Sequence, residues 1–404
     1  MSTSTTQTAV PRGRLFVASC IALTATGMTF AVRGDIMPAL GQKFALSDYR
    51  LGLMAGAAFY GFVLSILFGG MLVDLFGMGA ILALAFLAHL CGLGMTIFAN
   101  GFTMLFAATL IVGIGNGLVE AACNPLVATI YPDQKTHRLN RFHAWFPGGL
   151  IIGGLVAYGM TQAHLGWQYK IGAIMVLVVV YGVLFTGHKF PATERVQASV
   201  TTGDMYKEVF RPVFILLFLC MFLTAATELG PNQWIPATLG KLAGASGILV
   251  LVFINGVMFV GRNLAGQFVH KISPVGLLAC ASVLSAIGLY SLGHADTPIK
   301  AYASATVFAL GICYYWPTML GLTSERFPKG GSLLLAIMGA AGNLSTALVL
   351  PFMGKIYDTH KDNPGVAFQT VAMFPVVLVV VFGALYLSDR AKGGYKRVKL
   401  EVAA

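Results

Sequence analysis

Residues 102–131 read FTMLFAATLIVGIGNGLVEAACNPLVATIY, a run with a single acid, Glu120, and no base from Gly101 to Asp133. At about 1.5 Å per helical residue such a run is long enough to cross the roughly 30 Å hydrocarbon core of a bilayer. Its glycines and continuous apolar character lack the period-2 alternation of a barrel strand, which needs only about 10 residues. The stretch therefore reads as a membrane helix, and an ionisable side chain inside one is a functional candidate by default.

The rest of the chain repeats that reading. Of 404 residues, 57% are hydrophobic and 10% charged, with mean hydropathy +0.79, too apolar for a soluble domain of this length. Apolar runs recur at 14–42, 49–76, 78–99, 102–131, 139–164, 167–188, 212–240, 245–269, 274–294, 298–324, 331–357 and 364–388. The expected fold class is an all-α integral membrane protein of twelve transmembrane helices. The opening MSTSTTQTAVPRG is polar and precedes no cleavage site, so no signal peptide is expected.

Seventeen of the 26 Lys and Arg fall on the segments that share a side with the two ends of the chain. By the positive-inside rule both termini are expected in the cytosol, in a bacterial inner membrane. Arg33, Lys43 and Lys170 are among the charges assigned to the opposite side. The net charge of +11 fits anionic membrane lipid as a partner and needs no nucleic acid. Six scattered cysteines read as small apolar fillers. There is no phosphate-cradling glycine loop, no CxxC or H-x-x-x-H set and no GxSxG turn. An enzyme is not expected, nor a cofactor or metal site, and a monomer is.

The polar stretch HKFPATERVQASVTTGDMYKEVFRP, 188–212, divides six runs from six. The expected organisation is a cytosolic tail 1–13, a bundle 14–188, a linker 189–211, a bundle 212–388 and a basic tail 389–404 that anchors to lipid. Asp35 with Pro38 matches Glu228 with Pro231, and Gly149 matches Gly342, at an offset of 193. Asn124-Pro125 matches Trp316-Pro317 at 192. A near-constant offset points to a duplicated six-helix unit with a binding site between the halves near the midplane.

This pattern of two pseudo-symmetric six-helix bundles resembles the major facilitator superfamily. GMLVDLFG is similar to that superfamily's G-x-x-x-D-x-x-G signature, met by Gly70, Asp74 and Gly77, and implies a gating role for them. In the second half, His270 and Lys271 stand where the acid would. Closer still, Asp35 in GDIMP and Glu120 with Asn124-Pro125 resemble the fucose/galactose proton symporter family, which carries NDxLLP and ExxxNP. That resemblance implies a monosaccharide such as fucose, galactose or glucose cotransported with a proton, with Asp35 and Glu120 as the essential acids. His143 stands where that family commonly has a sugar-contacting glutamine; it donates to hydroxyls and titrates near neutrality.

Residue chemistry adds to this. Carboxyls in poorly hydrated cavities take up protons and release them when the cavity opens. Glu228 stands just before Gly230-Pro231, where a helix break is expected to line a cavity. Arg262 is its expected partner or a residue that snorkels to the cytosolic face, and is counted with Gly70, Asp74 and Gly77 among the expected gating residues. Sugars need amide or acid partners and an aromatic platform, so Gln233, Asn255, Trp316 and Asn343 complete the candidate site. Asp35 has a rival reading as a helix-end acid paired with Arg33. A sodium-coupled sugar symporter, a proton antiporter exporting an organic solute, and a non-transporting sensor are the alternatives.

Overall fold

The computed structural model describes residues 11–131, 135–191, 207–269, 273–396 and 398. The first six crossings are α1 (Arg12–Phe44), α2 (Asp48–Phe76), α3 (Met78–Ile97), α4 (Phe102–Ile130), α5 (Lys135–His143) with α6 (Trp145–Gln162), and α7 (Trp167–Phe185). The other six are α8 (Pro212–Ala243), α9 (Gly247–Val269), α10 (Pro274–Leu292), α11 (Pro298–Ile312) with α12 (Tyr315–Arg326), α13 (Gly331–Thr359), and α14 (Gly365–Val371) with α15 (Met373–Ala391). Among the described residues eleven are long and apolar enough to cross a membrane, and α9 supplies a shorter apolar helix, Gly247–Arg262. The expected all-α architecture of paired six-helix bundles is the one adopted.

Each broken crossing resumes at a proline. α6, α12 and α15 begin Trp145-Phe146-Pro147, Tyr315-Trp316-Pro317 and Met373-Phe374-Pro375. In the first turn the missing N–H has no intrahelical partner to lose, and the break before it removes the clash with the carbonyl four residues earlier. Pro38, Pro125, Pro231 and Pro236 instead lie inside continuous helices. The break expected at Gly230-Pro231 is therefore absent. With Trp234 and Ile235 fully packed, α8 keeps the rest of its ladder, because opened backbone in a membrane must find other partners.

Small residues set the helix contacts. α1 meets α6 at Gly27 and Gly149, and α2 meets α4 at Gly61 and Gly113, where an added Cβ would strike the carbonyls of Leu110 and Ala58. A buried polar chain ties four helices together: His89 to the Tyr181 hydroxyl at 2.8 Å and to Asn116 Oδ1 at 2.9 Å, and Asn116 Nδ2 to the Thr29 hydroxyl at 3.0 Å.

Twelve crossings return the chain to the face it left, here the terminal face; the opposite one is the distal face. On the terminal face Asp389 of α15 pairs with Arg326, the Tyr395 hydroxyl donates to Glu325 at 2.6 Å, and the Val398 N–H donates to the Glu325 carbonyl at 3.0 Å. The start of the basic tail thus lies against the end of α12, where lipid anchoring was expected.

Candidate functional site

A cavity lies between the halves, walled by Phe30, Phe146 and Leu150 on one side and by Glu228, Asn232, Gln233, Asn255 and Arg262 on the other. α8 builds most of the polar wall, since residues four apart, such as Glu228 and Asn232, share a helix face. Glu228 is buried, with Oε1 3.4 Å from Arg262 Nη2, while its Oε2 has no protein partner. Asn232 Oδ1 is likewise unpartnered. Arg262 also donates from Nε to the Cys313 carbonyl at 3.0 Å, just past the end of α11. Asn255 Nδ2 donates to the Leu251 carbonyl of its own helix at 2.9 Å.

Gln233 crosses between the halves. Its Nε2 donates to the Phe30 carbonyl at 3.2 Å, and its Oε1 accepts from Arg33 Nε at 2.9 Å. The Arg33 guanidinium is 4.7 Å from the Phe30 ring centroid and 5.6 Å from that of Phe59. Its Nη2 is buried without a partner.

Beyond Gln233 the distal side is shut. A Cβ on Gly34 would lie 3.0 Å from the Gln233 carbonyl, and one on Gly56 2.7 Å from the Ala347 carbonyl; one on Gly52 or Gly354 would collide with the carbonyl of Leu350 or Asp48. The Asp358 carboxylate, at the end of α13, accepts from the Asp48 and Tyr49 N–H groups at 2.9 Å each. It thereby caps α2 from the opposite half, where an anion is favoured by the helix dipole.

The remaining candidates stand elsewhere. Asp35 pairs with Lys170, which also donates to the Thr161 hydroxyl at 2.7 Å. Its expected rival partner, Arg33, turns away, as residues two apart on a helix do. Arg33 and Lys170, assigned to the far side, are both buried within helices, 6% and 7% exposed, because α1 runs on to Phe44 and α7 starts before Lys170.

Glu120 and Asn124 share a face of α4, and neither lines the cavity; Asn124 Oδ1 is buried without a partner. No ion pair among the described residues includes Glu120. His143 ends α5, exposed, edge-on to Phe142 at 5.0 Å. Trp316 packs against α13 at Gly342, and buried Asn343 donates to the Gly339 carbonyl at 2.9 Å.

Of the expected gate, Gly70 lies in α2 and Gly77 ends it with φ +82°. The Asp74 side chain, His270 and Lys271 lie outside the described residues. No metal-binding group of three His, Cys, Asp or Glu occurs among the described residues. The sequence reading missed Arg33, Lys170 and Asp358, and passed over Asn232. For Arg33 the available signal was an arginine placed inside the apolar run 14–42 rather than beyond its end.

A family model described as Major Facilitator Superfamily matches residues 15–332. The cis,cis-muconate transport protein of Acinetobacter baylyi is 25% identical over 356 residues, 81% of this chain and 84% of that one. The L-fucose-proton symporter of Escherichia coli K12 is 24% identical over 380 residues, 78% and 85% of the two chains. An inward-open structure of the xylose transporter XylE from E. coli superposes with TM-score 0.77 at 18% identity, covering 92% of this chain and 96% of that one, a likeness of fold.

Proposed function

The chain belongs to the Major Facilitator Superfamily, and from that premise we propose that it is a proton-coupled symporter of a small hydroxylated solute of monosaccharide size. The observation that carries this is the cavity between the halves. It is closed on the distal side and offers the unpartnered Glu228 Oε2 and Asn232 Oδ1 to a ligand. Such atoms are costly when idle and match sugar hydroxyls. The aromatic walls Phe30 and Phe146 suit a ring face. The resemblance of Asp35, Glu120 and Asn124 to fucose/galactose symporter motifs, and the 24% identity to the L-fucose-proton symporter, support the same reading.

In this reading the bundles 14–188 and 212–388 rock about the cavity, with both termini in the cytosol of a bacterial inner membrane. An ionised carboxylate crosses the membrane interior at high cost, whereas its protonated form does not. Glu120, with no ion pair among the described residues, is the coupling acid, and Glu228 binds cargo. Asp35, held by Lys170, positions α1. The test is uptake into proteoliposomes containing a trapped pH dye. Cargo entry is expected to acidify the lumen, and Glu120→Gln to abolish uphill accumulation. Uptake that follows a sodium gradient at symmetric pH, or a Glu120→Gln protein that concentrates cargo as well as the parent, would refute it.

A further inference from the structure

We propose that the cargo bears a carboxylate and that Arg33 is the cation that receives it. The inference rests on the transport reading above and names the chemical class of its cargo.

The Nε and Nη2 groups of an arginine form one edge of the guanidinium, a fork that matches the two oxygens of a carboxylate. In this conformation half of that fork is filled: Gln233 Oε1 sits 2.9 Å from Nε. The other half, Nη2, is buried with no protein partner. A neutral amide oxygen thus occupies the place of one carboxylate oxygen, and no protein atom takes the place of the second. The fork is held in a fixed orientation by the Phe30 and Phe59 rings at 4.7 and 5.6 Å. No ion pair among the described residues includes Arg33. Asp35, two residues on, is engaged by Lys170, and Glu228 by Arg262.

Charge counting leads to the same cargo. Glu228 and Arg262, which line the cavity, balance each other, so the charge of Arg33, held on the far side of Gln233, is left uncompensated by any ion pair among the described residues. A neutral hexose leaves that charge unpaired in the membrane interior, where it is expensive; a monocarboxylate removes it. Arg33 itself lines a separate cavity, inside the first half, whose polar lining is otherwise the Thr29, Thr96 and Thr109 hydroxyls, none of which supplies a countercharge. Gln233 belongs to the other half. When the halves part distally it withdraws from Nε and bares the whole fork to an arriving anion. When they close, its Oε1 returns to Nε and competes with the carboxylate, which favours release into the cavity.

The test uses the purified full chain in nanodiscs, without gradients, and matched probes: glucose against glucuronate, and nicotinamide against nicotinate. Thermal shift and calorimetry are expected to register binding of the charged member of at least one pair and not of its neutral partner; which pair responds separates a sugar acid from an aromatic acid. Arg33→Gln is expected to weaken that binding at least tenfold. Gln233→Glu places a carboxylate on the fork from within, and is expected to fold with an unchanged or raised midpoint and to lose the response to carboxylates; should Arg33→Gln fail to fold, this variant decides. Neutral probes binding as tightly as charged ones, no charged probe binding, or undiminished carboxylate binding by either variant would overturn the proposal. Because no gradient is involved, a failure of proton coupling leaves it standing, while coupled uptake of a neutral hexose refutes it and spares the transport reading.

Discussion

Replacing Asp358 by Ala removes the one carboxylate that caps α2 from the opposite half. The side chain accepts two backbone N–H bonds, from Asp48 and Tyr49, both at 2.9 Å. Loss of a helix-capping side chain costs about 0.5–2 kcal/mol, and a charge at a helix N-terminus adds about 0.3–1 kcal/mol where it is solvent-accessible. Asp358 is only partly buried and Ser47 still caps the Arg50 N–H, so a net of about 1–2 kcal/mol is expected. These bonds exist only while the distal side is shut. The whole of that energy therefore biases the halves toward opening, a shift of roughly 5–30-fold in the equilibrium. Hydrogen exchange of the protein in nanodiscs reads this directly. Amides of the first turns of α2 and of the facing stretch of α13 are expected to exchange faster by that factor, with α3 and α10 unchanged. Asp296→Asn, which removes an exposed carboxylate 2.8 Å from Lys300, is the silent control. If the gain is confined to the Asp48 and Tyr49 amides, Asp358 is a local cap and the reasoning fails.

The Asp35–Lys170 pair is expected to behave as a buried ion pair. Asp35→Asn or Lys170→Met alone leaves one charge unmatched at about 3–5 kcal/mol, while the double variant recovers much of the loss; a thermal double-mutant cycle with no coupling would contradict this. Gly113→Leu drives a side chain against the Ala58 carbonyl. It is expected to lower the thermal midpoint through at least the 1–3 kcal/mol typical of overpacking, and an unchanged midpoint would show that α2 and α4 separate readily.

The crossings were legible because hydrocarbon thickness imposes length and composition together, so the ends of the apolar runs fall near the helix ends. Glu228, Gln233, Asn255 and Arg262 were legible for a related reason: a polar group inside an apolar run must face protein or a cavity. Pairing was less so, since it depends on how each helix is turned about its axis. Arg33 and Asp35 look like neighbours in sequence, yet two positions on a helix point to different sides, and one meets Gln233 while the other meets Lys170. Asp358 carries no local signal, because its partners are two backbone groups 310 and 309 residues earlier in the chain. The uninterrupted course of α8 through Pro231 was hidden by the same limitation, for whether a proline bends or ends a helix is decided by what packs around it.

The notches that shut the distal side come from both partners: Gly52 and Gly56 receive the backbone of α13, and Gly354 receives that of α2. Reciprocal notches of this kind accept one alignment only. A piston-like slip of a single residue, about 1.5 Å, would drive β-carbons into carbonyl oxygens at several places at once. The notches thus favour separation of the two helices by peeling over sliding, with any return bringing them back to the same tooth.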